Sequence, residues 1–242
     1  MRKETETLEK SIRAVRENEW LLVFPIPKKK EPKSLWHVLH PKSVMKWEWT
    51  ESGDDKVVRL WHLRRLLAES HRVIYSKWYR GRATLFSETL FKKLWVFFGP
   101  ARERILGEGR EIVDLLEMES PLSTKQIRRG VELTGRDNEK RYVASMKELW
   151  RTFAIVGVGE IDDGAFPSLA HAATPVIFEE LCNAAEKEFT FEEARAWLDQ
   201  NIVDKAFRRL LGPDLTGESQ DDGSASRAIS AGSIAGSRKL RD

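Results

Sequence analysis

Cationic and aromatic side chains lie close together in the segment RVIYSKWYRGRATLFS, residues 72–87. Apolar and polar residues alternate before Arg80-Gly81-Arg82, and this pattern predicts a β-hairpin whose turn carries positive charge. Lysine and arginine at such a turn bind phosphates, and an aromatic ring beside them stacks on a base. We therefore expect DNA contacts from Lys77, Trp78, Arg80 and Arg82. A surface hairpin with incidental charge is the alternative.

A second set of cations follows a helix–turn–helix pattern between residues 120 and 151. Ser123 or Thr124 can cap the first helix, and Gly135 breaks the chain before the second. In winged-helix proteins the second helix of this pair most often lies along DNA. Residues 140 and 147 are two turns apart and share a helix face. The residues expected to contact DNA here are Arg128, Arg129, Arg136, Asn138, Lys140, Arg141 and Lys147.

A second predicted hairpin completes the winged-helix outline. Ala154–Gly159 is predicted to be a strand, Asp162-Asp163-Gly164 a tight turn, and Ala165–Ala170 the returning strand. The wing sequence GEIDDGAF is acidic, so a phosphate backbone would repel it. This charge argues against docking of the wing in a DNA groove. We therefore expect residues 72–90 to form one wall of a two-sided site and residues 120–170 to form the other.

Positive charge is concentrated in the first part of the chain. The net charge is only +3, but residues 1–107 contain 23 Lys and Arg against 13 Asp and Glu, whereas residues 108–242 contain 18 against 25. A basic half indicates a polyanionic partner, which we take to be double-stranded DNA, damaged or intact. The alternative is that the acidic half balances the basic half, within one chain or across a homodimer.

Signatures of several enzyme classes are missing from the sequence. It has no P-loop, no G-x-S-x-G and no H-E-x-x-H motif, and the glycines at 157 and 159 lack the third glycine of a dinucleotide fingerprint. His37 and His40 are three residues apart, but no cysteine or carboxylate is spaced to join them. We expect no metal site and no cofactor, and we assign no catalytic residue. The single cysteine, Cys182, is predicted to be buried.

The predicted fold class is mainly α with small β-hairpins, built from tandem winged-helix-like modules. We divide the chain into a basic winged-helix-like module at 1–107, a winged helix at 108–187, a C-terminal helix at 188–211 and a disordered tail at 212–242. Gly99–Gly109 is the predicted linker between the two modules. The sequence has no apolar run of about 18 residues or more, and no apolar signal-peptide core, so we expect a cytoplasmic location.

Three segments together resemble a known family: RVIYSKWYRGRATLFSETL at 72–90, PLSTKQIRRGV at 121–131, and residues 138–181 from NEKRY to FEEL. They are similar to winged-helix DNA-binding proteins related to the AlkZ-type crosslink-repair DNA glycosylases. The resemblance covers roughly residues 5–200 and rests on pattern and element order. It implies a winged-helix scaffold, DNA binding and a role in DNA repair or DNA maintenance.

The chain departs from that family at the catalytic motif. The resemblance implies a Gln-x-Gln or Gln-x-Asp motif in the N-terminal half of the glycosylases, but residues 1–107 contain no glutamine. Three function classes therefore stay open: a DNA-binding winged-helix protein, a glycosylase-like enzyme that acts on damaged DNA through another residue, and a non-catalytic protein-interaction scaffold. The first is our leading interpretation.

Overall fold

The computed structural model describes residues 2–46 and 55–212 of the 242-residue chain. Its strands are β1 (Trp20–Leu22), β2 (Ile74–Tyr79), β3 (Arg82–Phe86), β4 (Ile155–Ile161) and β5 (Ser168–Ala173). Its helices are α1 (Arg2–Asn18), α2 (Leu35–Leu39), α3 (Asp55–Glu69), α4 (Glu88–Phe97), α5 (Gly99–Glu103), α6 (Glu108–Glu119), α7 (Thr124–Gly130), α8 (Glu139–Arg151), α9 (Thr174–Ile177), α10 (Glu179–Glu188), α11 (Phe191–Asn201) and α12 (Lys205–Leu211). The predicted fold class, mainly α with small β-hairpins, is confirmed.

The strands form one antiparallel sheet in the order β1-β3-β2-β4-β5. Both predicted hairpins are present, as β2–β3 and β4–β5. They join through β2 and β4, where Tyr75 lies opposite Gly157. A Cβ atom on Gly157 would lie 2.2 Å from Cδ1 of Tyr75, so the tyrosine ring fits only over a glycine. The aromatic ring and the glycine thus fit together where the two hairpins meet.

The order of elements before each hairpin is the same. In the first half, α1, β1, α2 and α3 precede β2–β3, and β1 pairs with β3. In the second half, α6, Leu122, α7 and α8 precede β4–β5, and Leu122 exchanges backbone hydrogen bonds of 2.9 and 2.8 Å with His171 of β5. Each half therefore has a helix, an extended residue or strand, two helices and a hairpin. The identification of each half as a winged helix stays a prediction.

The sheet lies between two helical layers. One face packs against α4, α10, α11 and α12 through a cluster that includes Phe86, Val156 and Phe207. The other face carries two clusters, one with α1–α3 around Tyr75 and one with α6–α8 around Ile155. Because both faces are covered, most side chains of β2 are buried on either side of the strand. Burying this apolar surface is the main stabilising contribution to the fold.

Several predicted boundaries differ from the structure. The predicted linker at Gly99–Gly109 contains α5, because Pro100 is tolerated in a first helical turn. The predicted C-terminal helix at 188–211 is two helices, α11 and α12, because Asp204 caps the second by accepting a hydrogen bond from the Phe207 amide at 2.6 Å. The division at 107 stays a prediction, and the β2–β4 pair crosses it. The predicted tail from 213 onward lies outside the described residues.

Candidate nucleic-acid interface

Helix α8 has one buried face and one exposed, cationic face. Its buried side chains include Tyr142, Met146, Leu149 and Trp150, which follow the helical spacing expected from the sequence. Lys140, Lys147 and Arg151 are exposed. The amphipathic pattern therefore fixes which side of α8 packs on the core and leaves these cations in solvent.

The three exposed cations of α8 form a stripe. At 100° per residue, Lys140, Lys147 and Arg151 lie within about 40° of one another, and they extend over about 16 Å of helix. Within residues 2–46 and 55–212, none of these three side chains forms a hydrogen bond or an ion pair. We call Lys140, Lys147 and Arg151 the α8 stripe. Charges arranged in this way are available to an external polyanion.

Two other predicted contact residues are held by carboxylates. Arg128 donates to Glu139 at 2.6 and 3.0 Å, and its guanidinium carbon lies 4.0 Å from the centroid of the Tyr142 ring. The hydrogen bond from Arg128 lowers the pKa of Glu139. Arg141 donates from Nε to Glu108 at 2.7 Å and from Nη1 to Oδ1 of Asn138 at 3.2 Å. Because carboxylates hold these two arginines, they are less available to an external ligand than the α8 stripe.

The remaining predicted residues of this region lie around the turn before α8. Arg129 and Arg136 are exposed, and neither forms an ion pair within the described ranges. Asn138 donates from Nδ2 to the carbonyl oxygen of Thr134 at 2.9 Å, so its amide orders the α7–α8 turn. We therefore place Arg136 beside the start of the α8 stripe and Arg129 on the neighbouring helix.

The cationic tip of the β2–β3 hairpin has the predicted geometry. Arg80 and Gly81 form the two-residue turn, with φ values of 53° and 72°. Two positive φ angles give the turn a twist that matches the right-handed twist of the two strands that it connects. Arg80 and Arg82 are exposed, and the Arg80 guanidinium lies 5.8 Å from the centroid of Tyr79. Next to this tip, Nε1 of Trp78 donates to the Arg151 carbonyl oxygen at 3.0 Å. The hairpin is thus attached to the last turn of α8.

Trp78 and Lys77 are less accessible than the sequence suggests. Trp78 is 4% exposed, and its ring packs against Phe86, Phe153 and Phe207. An indole enclosed in this way has no free face for a base, so we leave Trp78 out of the proposed interface. Lys77 is half-buried on the sheet, and burial lowers its pKa, with a smaller contribution from the charge of Arg64.

A buried ion pair joins the two halves beside Lys77. Arg64 of α3 pairs with Glu160 of β4, and their side chains are 7% and 13% exposed. The Arg64 guanidinium also lies 4.4 Å from the centroid of Trp61 and donates to the Tyr75 hydroxyl at 3.5 Å. This pair spans 96 positions of sequence, and no local pattern predicts it.

The acidic wing is partly neutralised by its own neighbours. Glu160 is bound to Arg64, and the Asp163 carboxylate accepts hydrogen bonds from the hydroxyl groups of Ser123 and Ser168. The bond from Ser123, followed by the bond from Ser168, lowers the pKa of Asp163. Asp162 is the acidic residue that stays exposed in this segment. Arg64 thus offsets the charge of Glu160, whereas the hydroxyl groups leave the Asp163 carboxylate charged, so the repulsion expected from the wing sequence is reduced by one charge.

In comparison with known protein families, the profile described as AlkZ related matches residues 5–206 of the chain. The chain belongs to the AlkZ-related family. No curated protein and no solved structure matches it. The predicted resemblance is confirmed at the level of the family, which links the chain to DNA repair.

Two features of this AlkZ-related chain were not predicted from its sequence. Arg151 continues the spacing of Lys140 and Lys147, so the helical period over α8 contained the signal for it. The Arg64–Glu160 pair had no such signal, because only the folded sheet brings the two residues together.

Within the described ranges, no group of three His, Cys, Asp or Glu is placed to bind a metal ion. None of the helices described there is long and apolar enough to cross a membrane.

Proposed function

We propose that this AlkZ-related chain binds double-stranded DNA and acts in DNA repair or DNA maintenance. The α8 stripe is the observation that carries the proposal, because its three cations are exposed and have no partner among the described residues, while Arg128 and Arg141 nearby are held by carboxylates. In this proposal the stripe contacts phosphates along one strand. Arg80 and Arg82, on the hairpin attached to the end of α8, provide the second wall of the site.

The repeated element order supports a finer interpretation of the scaffold. We interpret each half as a winged helix, with α3 and α8 as the second helix of each helix–turn–helix pair. The two halves place their hairpins side by side in one sheet. A duplex that lies on α8 would then extend towards the β2–β3 tip.

Salt dependence tests this proposal. Each phosphate contact releases about one counterion, so the slope of log K against log salt counts the contacts. We expect Lys147→Gln and Arg151→Gln each to reduce the magnitude of that slope by roughly one. The measurement is fluorescence anisotropy of a labelled duplex at several salt concentrations. Lys187→Gln is the matched control, because Lys187 is exposed on α10, on the other side of the sheet.

Arg141→Gln provides a second comparison on the same helix. Because Arg141 is already bound to Glu108, we expect its removal to change the slope less than the removal of Lys147. A slope that is unaffected by Lys147→Gln and Arg151→Gln would remove the α8 stripe from the interface. If the unmodified protein does not bind duplex DNA at low salt, the interaction-scaffold alternative is favoured instead.

A glycosylase-like activity is the second candidate, and membership of the AlkZ-related family favours it. Such an enzyme has to position a water molecule and stabilise a cationic sugar. Gln126 is engaged elsewhere, because its side-chain oxygen accepts a hydrogen bond from the Ser123 amide at 2.8 Å. Incubation with alkylated duplex DNA, followed by detection of abasic sites, tests this candidate. Formation of abasic sites by the purified chain would establish it.

A further inference from the structure

An open cleft of about 460 Å³ lies between α7, the α7–α8 turn and the β4–β5 loop. Its lining includes Lys125 and Arg129 from α7, Thr134 from the turn, and Phe166 and Ser168 from the loop and β5. The cleft is separate from the α8 stripe, since none of the three stripe residues lines it. Volumes of this size accommodate small molecules or parts of larger ligands.

Phe166 is exposed at the rim of this cleft. Its side chain is 83% exposed, although the burial of a phenylalanine ring away from water is favourable. The loop that carries it is anchored to α7, because Asp163 accepts hydrogen bonds from Ser123 and from Ser168, the latter at 2.8 Å. An anchored loop with an exposed ring provides a flat apolar surface at little conformational cost on binding.

The charges around the cleft favour an anion. Arg129 is exposed and forms no ion pair in the part of the chain that the structure describes. The ammonium group of Lys125 donates to the backbone oxygen of Asp163 at 3.4 Å, so it stays close to the loop while keeping its charge. The Asp163 carboxylate also lines the cleft and keeps its charge, because hydrogen bonds from two hydroxyl groups lower its pKa, and Lys125 and Arg129 together outweigh this single negative charge. The cleft thus combines two cations with an exposed aromatic ring at its rim.

We propose that this cleft binds one unpaired nucleotide of DNA, with its base stacked on Phe166 and its flanking phosphates in contact with Arg129 and Lys125. The inference rests on the proposed DNA-binding function. It adds that the protein prefers DNA that contains an unpaired base. An aromatic ring stacks on any base, because every base has a π face, so the cleft recognises an unpaired base without reading its identity. The cations supply the contacts to phosphate.

The test compares three labelled DNAs of the same sequence: a fully paired duplex, a duplex with one unpaired fluorescent adenine analogue, and the single strand that carries this analogue. We expect the unpaired site to be bound at least about 5-fold more tightly than the paired duplex, since stacking of a base on an aromatic ring strengthens binding by this factor or more. We also expect the emission of the analogue to be quenched on binding. Phe166→Ala should abolish both effects while leaving the affinity for the paired duplex unchanged.

Matched controls separate the cleft from general surface effects. Leu106→Ala removes another exposed apolar side chain, 78% exposed, in the loop before α6, and should keep the preference and the quenching. Arg129→Gln should weaken binding to the unpaired site more than Lys187→Gln does. Equal affinity for paired and unpaired DNA, or quenching that persists in Phe166→Ala, would overturn the inference while leaving duplex binding intact.

The remaining outcomes distinguish the two proposals. Binding of the single strand with Phe166-dependent quenching, but without duplex binding, would support the cleft and reject the duplex function of the α8 stripe. If none of the three DNAs binds at low salt, both proposals fail.

Discussion

What a side chain in this protein can bind depends more on its neighbours in the fold than on its residue type. Trp78 lies between cations in the sequence, which is the pattern of a base-stacking residue, yet its ring is enclosed by Phe86, Phe153 and Phe207. Two of these partners lie far away in the sequence, so no local pattern indicates that they cover the ring. Arg128 and Lys147 are both cations near a helix surface, but only the structure shows that Glu139 neutralises the first.

His171 gives a prediction at the residue scale. It is 2% exposed, and burial, followed by the charge of Lys77, lowers its pKa from 6.5 to about 4. Because the folded pKa lies below the unfolded value, the neutral histidine stabilises the fold above pH 6.5, and this stabilisation is lost as the pH falls towards 4. We expect a loss of about 3 kcal/mol from this group over that range.

Urea denaturation at pH 7 and at pH 4.5 checks this expectation, with His171→Gln as the comparison. The groups that face the imidazole are Lys77, the Trp150 ring and the backbone of Leu122 and Leu169. The glutamine variant cannot take up the proton, so its free energy of unfolding should fall less between the two pH values than that of the unmodified protein. Equal decreases in both proteins would show that His171 is not responsible.

At the scale of elements, the sequence predicted what depends on local spacing. The N-cap at Ser123, the two hairpins and the buried face of α8 all follow from residues within a few positions of one another. The joining of the hairpins through Tyr75 and Gly157 does not, because strand pairing over 82 positions is decided by packing. The same reason explains why the hydrogen bond that attaches Trp78 to the end of α8 was not predicted.

The pair between Arg64 and Glu160 gives a prediction at this scale, because it connects α3 with β4. Removing one partner leaves a buried charge without compensation. We therefore expect Glu160→Met to lower the free energy of unfolding by about 3–5 kcal/mol. The double variant Arg64→Met and Glu160→Met buries no charge and should regain much of that loss. Urea denaturation measures both, and a double variant as unstable as the single one would contradict the explanation.

On the scale of the whole molecule, the two halves share one sheet and one cluster of aromatic residues. Trp78 of β2 packs on Phe153 from the second half and on Phe207 from α12. The helical layer of α4, α10, α11 and α12 covers strands from both hairpins. The two predicted modules are therefore joined by contacts in the core and not by a linker alone.

Cooperative unfolding follows from this arrangement. We expect the full chain to unfold in urea in a single transition, with the same midpoint by circular dichroism and by tryptophan fluorescence. A fragment of residues 1–107 would expose the ring of Trp78 and the β4-facing side of β2. We expect that fragment to lack a sharp unfolding transition. Two separate transitions in the full chain, or a cooperatively folded fragment, would instead support independent modules with a boundary at 107.

The two outer strands of the sheet are short or covered. β1 has three residues, and Leu22 at its end forms a bridge with Ser34. β5 is covered in its middle by the bridge between Leu122 and His171. Protein aggregation into fibrils starts from long, open sheet edges that accept a strand from a neighbouring molecule. Because both edges are short or blocked, this sheet offers little open edge to a strand from a neighbouring molecule.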